Sequence, residues 1–139
     1  MQKRLLTSGA CALVLFSGLA RAEELVRLSA YYYADRPAFC FEVPVERVRQ
    51  LPTWTGRGEP PVSKAQAARI GARTLGLKPP PDRIELNHVH TRFNAFDGDV
   101  WYYIVEYQPS DTKGLAVTAV LFDGKPVPKS ESDCGDFIR

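Results

Sequence analysis

Apolar and polar positions in this chain fall mostly into short extended blocks, and one segment breaks from them into a helical period. The first block, "LVRLSAYYY" over residues 25–33, is apolar, β-branched or aromatic enough for a strand, and "DRP" then interrupts it. "AFCFEVPVERV" reads as a second extended run, with Pro44 marking an edge or a bend because proline has no N–H to give a ladder. "LPTWTGRGEPP", residues 51–61, is turn chemistry around one tryptophan and reads as a surface connection.

The helix follows in "PPVSKAQAARIGARTLGLKPPP". Ser63 is placed as N-cap with Gln66 three residues on, so each side chain satisfies an amide that the first turn leaves open. Alanines fill the interior, Gly76 suits the left-handed position that ends a helix, and Pro79 to Pro81 forbid continuation. Gly71 in mid-helix costs stability relative to alanine, which a close approach of the helix backbone to a sheet explains.

Three strand-like runs complete the pattern, over 84–96, 100–107 and 115–122. Asp97-Gly98 is a strong signal for a type I′ hairpin turn between the first two. "PSDTKG" joins the second to the third, and "KPVP" after Asp123-Gly124 is placed to fold back as a short edge. The expected fold is α+β, with one helix across a single antiparallel meander.

Composition adds an address. "MQKRLLTSGACALVLFSGLARAEE" has a basic start at Lys3 and Arg4, an apolar run to Ala20, and a small-x-small site at Ala20-Arg21-Ala22. The run falls short of the roughly 20 apolar residues of a bilayer span, so residues 1–22 read as a signal cleaved after Ala22 and 23–139 as one domain. The expected location is the periplasm or the exterior. Removing Lys3, Arg4 and Arg21 from 18 basic residues leaves 15 against 16 acidic ones. No basic run remains to track a phosphate backbone or a membrane surface, so neither nucleic acid nor a bilayer is an expected partner. Cys11 leaves with the signal, and Cys40 and Cys134 remain as an even pair in an exported chain, the arithmetic of a structural disulfide.

The chain has two histidines, His88 and His90, one residue apart. With Asp97-Gly98 as the turn, Phe96 is expected opposite Asp99, His90 opposite Val105 and His88 opposite Tyr107. Alternation then gathers His88, His90, Arg92 and Asn94 with Trp101, Tyr103, Val105 and Tyr107 on one face. The other face, with Val89, Phe93, Val100, Tyr102 and Ile104, is more apolar, and the helix is expected to cover it. Two histidines at i and i+2 can share a metal, but a stable site needs a third ligand that this face does not offer. No GxSxG-type nucleophile is present, and no acid is placed to orient either ring. Neither a metal nor any other cofactor is therefore expected. The mixed face suits contact with another protein, since aromatics and arginine dominate interface energetics, and its candidate contact residues are His88, His90, Arg92, Trp101, Tyr103 and Tyr107. The competing expectation is that the N-terminal tyrosine-rich segment covers it.

"PPVSKAQAARIGARTLG", then "FDGDVWYYIVEY", then "AVTAVLFDGKPVP" together resemble a PepSY domain over residues 60–128. The resemblance implies a cystatin-like α+β fold and a role in binding or restraining other exported proteins rather than catalysis. It implies no catalytic set. The last turn departs from the family pattern, and the N-terminal strands and the disulfide are additions. The functional expectation is an exported protein-binding, inhibitory or regulatory module whose partner is another exported protein. The alternatives are a small exported enzyme or metal-binding protein using His88 and His90, and an accessory subunit of an envelope complex.

Overall fold

The structure is a computed structural model that describes residues 23–32, 34, 37–93, 96–108, 115–131 and 134. The expected signal at 1–22, Tyr33, the Asp35-Arg36 break, Asn94, Ala95 and the 109–114 connection lie outside the described residues.

Among the described residues, seven strands and two helices succeed one another: β1 (Leu25–Tyr31), β2 (Phe39–Pro44), α1 (Val45–Arg49), α2 (Lys64–Leu75), β3 (Arg83–Phe93), β4 (Phe96–Tyr107), β5 (Ala116–Leu121), β6 (Pro126–Val127) and β7 (Lys129–Ser130). The fold is mixed helix and strand, with strand dominant. The single meander is corrected to two antiparallel sheets, one ordered β1-β2-β7 and the other β3-β4-β5-β6. β1 and β2 pair with each other, and β2 also with β7, rather than joining β3–β6, and their apolar faces cover one side of the larger sheet. The core there runs through Val26, Leu28, Phe41 and Val43 against Val100, Tyr102, Ile104, Ala119 and Leu121.

The helix lies on the opposite side, which corrects the expectation about which face it covers. Ala67 and its neighbours pack on Tyr103, Val105, Tyr107, Val120 and Phe122. Both sides of the larger sheet are therefore dry over much of their area, as the near-continuous burial of 102–107 requires. The local helix signals all operate. Gln66 N–H donates to Ser63 Oγ at 3.1 Å, Ser63 N–H donates to Gln66 Oε1 at 2.8 Å, and Gly76 caps the end with φ +67°.

Residues 45–48, expected as extended, fall in the short helix α1. Val45 and Val48 are both buried at a spacing of three, a helical spacing just after the bend that Pro44 marks. Arg47 of α1 grips the turn after β5. Its Nε and Nη2 donate to the Asp123 carboxylate at 2.8 and 3.1 Å, and further N–H groups reach the carbonyls of Lys125 and Pro126. Desolvation acts to raise the Asp123 pKa, but the Arg47 hydrogen bonds, the Lys125 amide and both cationic charges outweigh it and hold the carboxyl below its ordinary 3.8. A depressed folded pKa contributes stability that is present above pH 3.8 and lost as pH falls through the folded value. Arg47→Met is therefore expected to cost about 1–2 kcal/mol at pH 7, discounted for partial exposure. That difference from wild type should shrink in urea titrations repeated below pH 4.

The "KPVP" segment does fold back, with Val127 opposite Ala119 and Pro126 opposite Val120. The chain then crosses to the smaller sheet, where Lys129 pairs with Phe41 and Ser130 with Cys40. This crossover brings Cys134 onto Cys40, and the disulfide forms with Cα atoms 5.8 Å apart.

Candidate functional site

The histidines sit where the β3–β4 register puts them, and that register differs from the expected one. Eleven pairs run from Arg83 opposite Glu106 to Phe93 opposite Phe96. Asp97 and Gly98 lie inside β4, facing Arg92 and Thr91, so they are not the turn. His88 faces Trp101 and His90 faces Asp99. The displacement is six residues, an even number, so every side chain keeps the face that alternation assigned to it.

α2 divides that face in two. Under the helix, Tyr103 and Tyr107 are 3% and 4% exposed, which removes both from the candidate contact surface and makes them core. The reason is geometric: the helix and the 51–62 segment cover them, as the N-terminal strands were expected to do. Burial pushes both phenols above their ordinary value of 10. Tyr103 donates its hydroxyl to the Val62 carbonyl at 2.9 Å, whereas the Tyr107 hydroxyl is buried with no partner among the described residues. The two tyrosines should therefore respond oppositely to loss of the hydroxyl. Tyr103→Phe is expected to cost about 1 kcal/mol and Tyr107→Phe to be neutral or stabilising by up to about 1 kcal/mol, because an unmade buried hydrogen bond is removed. Urea midpoints of the two variants check this.

Beyond the helix the same face emerges. The His88 ring packs on Trp101 with centroids 4.5 Å apart, and Trp54 meets Trp101 edge-on at 4.8 Å. Gly56, at φ +81°, passes so close to the indole that an added Cβ would sit 3.2 Å from its Cζ2. Trp101 thus anchors the 51–61 loop with much of its area and is only partly exposed. At the strand ends, His90 has Nδ1 3.1 Å from Asp99 Oδ1 and Nε2 3.2 Å from Asp97 Oδ1, and Arg92 Nε donates to Asp97 Oδ2 at 3.0 Å. His90 and Arg92 are 60% and 78% exposed at their side chains, and His88 is exposed as well. Orienting carboxylates for His90 do exist, then, contrary to the sequence expectation, and the six-residue displacement is what supplies them.

Beside this patch a cleft of about 170 Å³ opens between the 51–54 loop and the start of β4. Trp54, Trp101 and Phe122 contribute apolar wall, and Asp97 and Asp99 contribute charge. What the arrangement can do chemically is present an aromatic slot with a zwitterionic rim. It does not place a nucleophile against a base: each nitrogen of His90 already faces a carboxylate. Among the described residues, no group of three His, Cys, Asp or Glu side chains has the geometry to hold a metal. The roles of Asp97, Asp99 and Trp54 escaped sequence reasoning. Opposite charges at Arg92 and Asp97 were the available signal, since cross-strand ion pairs favour the register that joins them. Among the described residues, no helix is long and apolar enough to cross a membrane. No family model, curated protein or solved structure matches the chain.

Proposed function

We propose that the protein is an exported, non-catalytic binding module of inhibitory or regulatory type, which holds another exported protein through the end of the β3–β4 hairpin. One observation carries the reading. The helix covers the larger sheet only part of the way, so His88, His90 and Arg92 stand exposed next to the aromatic cleft. Side chains of this kind, an apolar slot ringed by charged and imidazole groups, match the make-up of protein contact surfaces. The Cys40–Cys134 disulfide supports an oxidising compartment. A capped, alanine-rich helix lying on antiparallel strands supports the PepSY-like, cystatin-like kinship that residues 60–128 suggest.

A photo-crosslinking residue placed at position 92, and separately at exposed position 50, tests the reading in the producing cell. Position 92 should give a discrete adduct with one exported protein, reduced at least fivefold by His88→Ala, and position 50 should not. Equal adducts from both positions, or none from either, would refute the hairpin end as the contact surface. Sustained turnover by the purified protein would refute the non-catalytic reading.

A further inference from the structure

The outer face of α2 carries a second feature, separate from the hairpin end. Helix Lys64–Leu75 has three cations, Lys64, Arg69 and Arg73, and no acid. Arg69 and Arg73 stand one turn apart, both exposed, and among the described residues neither makes a salt bridge. Like charges at this spacing destabilise a helix by about 0.2–0.5 kcal/mol, and Lys64 opposes the dipole at the N-terminal end. The Ser63–Gln66 capping box and the favourable place of Arg73 in the last turn offset part of this cost, but no acidic side chain of the helix does. The like-charge pair that remains, on two exposed side chains, would be relieved by an anionic partner.

The two arginines also line a depression. Together with Gln66, Ile70 and Val62 on one side and Gly124 on the other, they enclose about 150 Å³ between α2 and the turn after β5. The acid in that turn, Asp123, is already held by Arg47, so it does not neutralise the arginines. A guanidinium pair over a concave, partly apolar floor is suited to bidentate capture of carboxylates, with the floor taking the methylenes that carry them.

We propose that this depression binds a glutamate- or aspartate-bearing segment of a partner protein. The inference goes beyond the hairpin-end reading, because it places a contact on another element and names the charge of the partner. It is read on the purified protein alone, so its failure is distinguishable from failure of the hairpin end.

Calorimetric titration with an acetylated hexaglutamate peptide at low salt tests it. Wild type should bind, Arg69→Gln/Arg73→Gln should bind at least tenfold more weakly, and Lys78→Gln should bind like wild type. Arg69→Glu provides the control for folding. It creates a Glu–Arg pair at i,i+4 in the favourable order, so it should raise the melting temperature by a degree or two while abolishing peptide binding. The proposal is overturned if wild type does not bind, or if the double glutamine variant binds equally well. It is also overturned if inorganic phosphate competes as strongly as the peptide at matched charge, which would show a generic anion effect, or if Arg69→Glu lowers the melting temperature.

Discussion

Gly71→Ala is expected to destabilise the protein by about 2 kcal/mol, although alanine is the better helix former by about 1 kcal/mol. An added Cβ would stand 2.6 Å from Val105 Cγ1 and 2.8 Å from Val105 Cβ. Neither atom can swing away. Val105 is branched at Cβ and fully buried, so the helix or β4 must shift to admit one methyl group. Overpacking of this kind costs about 1–3 kcal/mol, which exceeds the propensity gain. Gly71→Val should be worse, because it brings two further methyl groups to the same contact. The mechanism is checked by a double-mutant cycle with Val105→Ala, which removes Cγ1 at 2.6 Å and Cγ2 at 3.0 Å and leaves the Cβ contact. The pair should be less destabilised than the sum of the single variants by about 1 kcal/mol or more. Strict additivity in urea midpoints would mean that the glycine is tolerated for another reason.

Loss of the disulfide should have an effect at least as large. Cys40 and Cys134 are 94 positions apart, a separation for which the chain-entropy account gives roughly 4–5 kcal/mol as an upper figure. The structural setting adds a local consequence. β7 is two residues long, and two pairs, Cys40 with Ser130 and Phe41 with Lys129, join it to β2. Without the covalent tie so short a strand has little to hold it, and the smaller sheet reduces to the β1–β2 pair. Cys40→Ser/Cys134→Ser is expected to lower the melting temperature by 10 °C or more, on the order of 2–4 kcal/mol. Amide exchange should quicken first around residues 129–130, ahead of β4. Unchanged melting with uniform exchange would show that packing alone retains the C-terminal segment.

The two effects depend on information of different kinds, and the same division runs through the whole molecule. Ser63, Gln66 and Gly76 act within one turn of their own helix, so the limits of α2 were legible residue by residue. The cysteine pair was legible for a similar reason, because with Cys11 assigned to the expected signal, parity leaves Cys40 and Cys134 to each other. Alternation assigned faces correctly even though the β3–β4 register was misplaced by six residues. A period of two survives any even displacement.

The turn at Asp97-Gly98 failed because two residues of local preference compete with eleven cross-strand pairs. The register that forms places Ile84 on Val105 and Leu86 on Tyr103 beneath the helix, and sets Arg92 and His90 against Asp97 and Asp99. The expected one would have put both imidazoles against β4 residues that the helix buries. α1 escaped for a similar reason: Val45 and Val48 become a buried helical pair only when α1 has a core to face.

By itself, then, the sequence determined the helix and its caps, the strand-rich mixed composition of the fold, the disulfide pair and the two-faced character of the central hairpin. Each is a short-range property, written in neighbours or in a simple count. Only the tertiary structure decided that there are two sheets, which face the helix covers, that Tyr103 and Tyr107 are core, and that His90 lies between two aspartates. Those outcomes depend on which distant surfaces exclude water from one another, and that competition is settled by the assembled chain rather than by any segment of it.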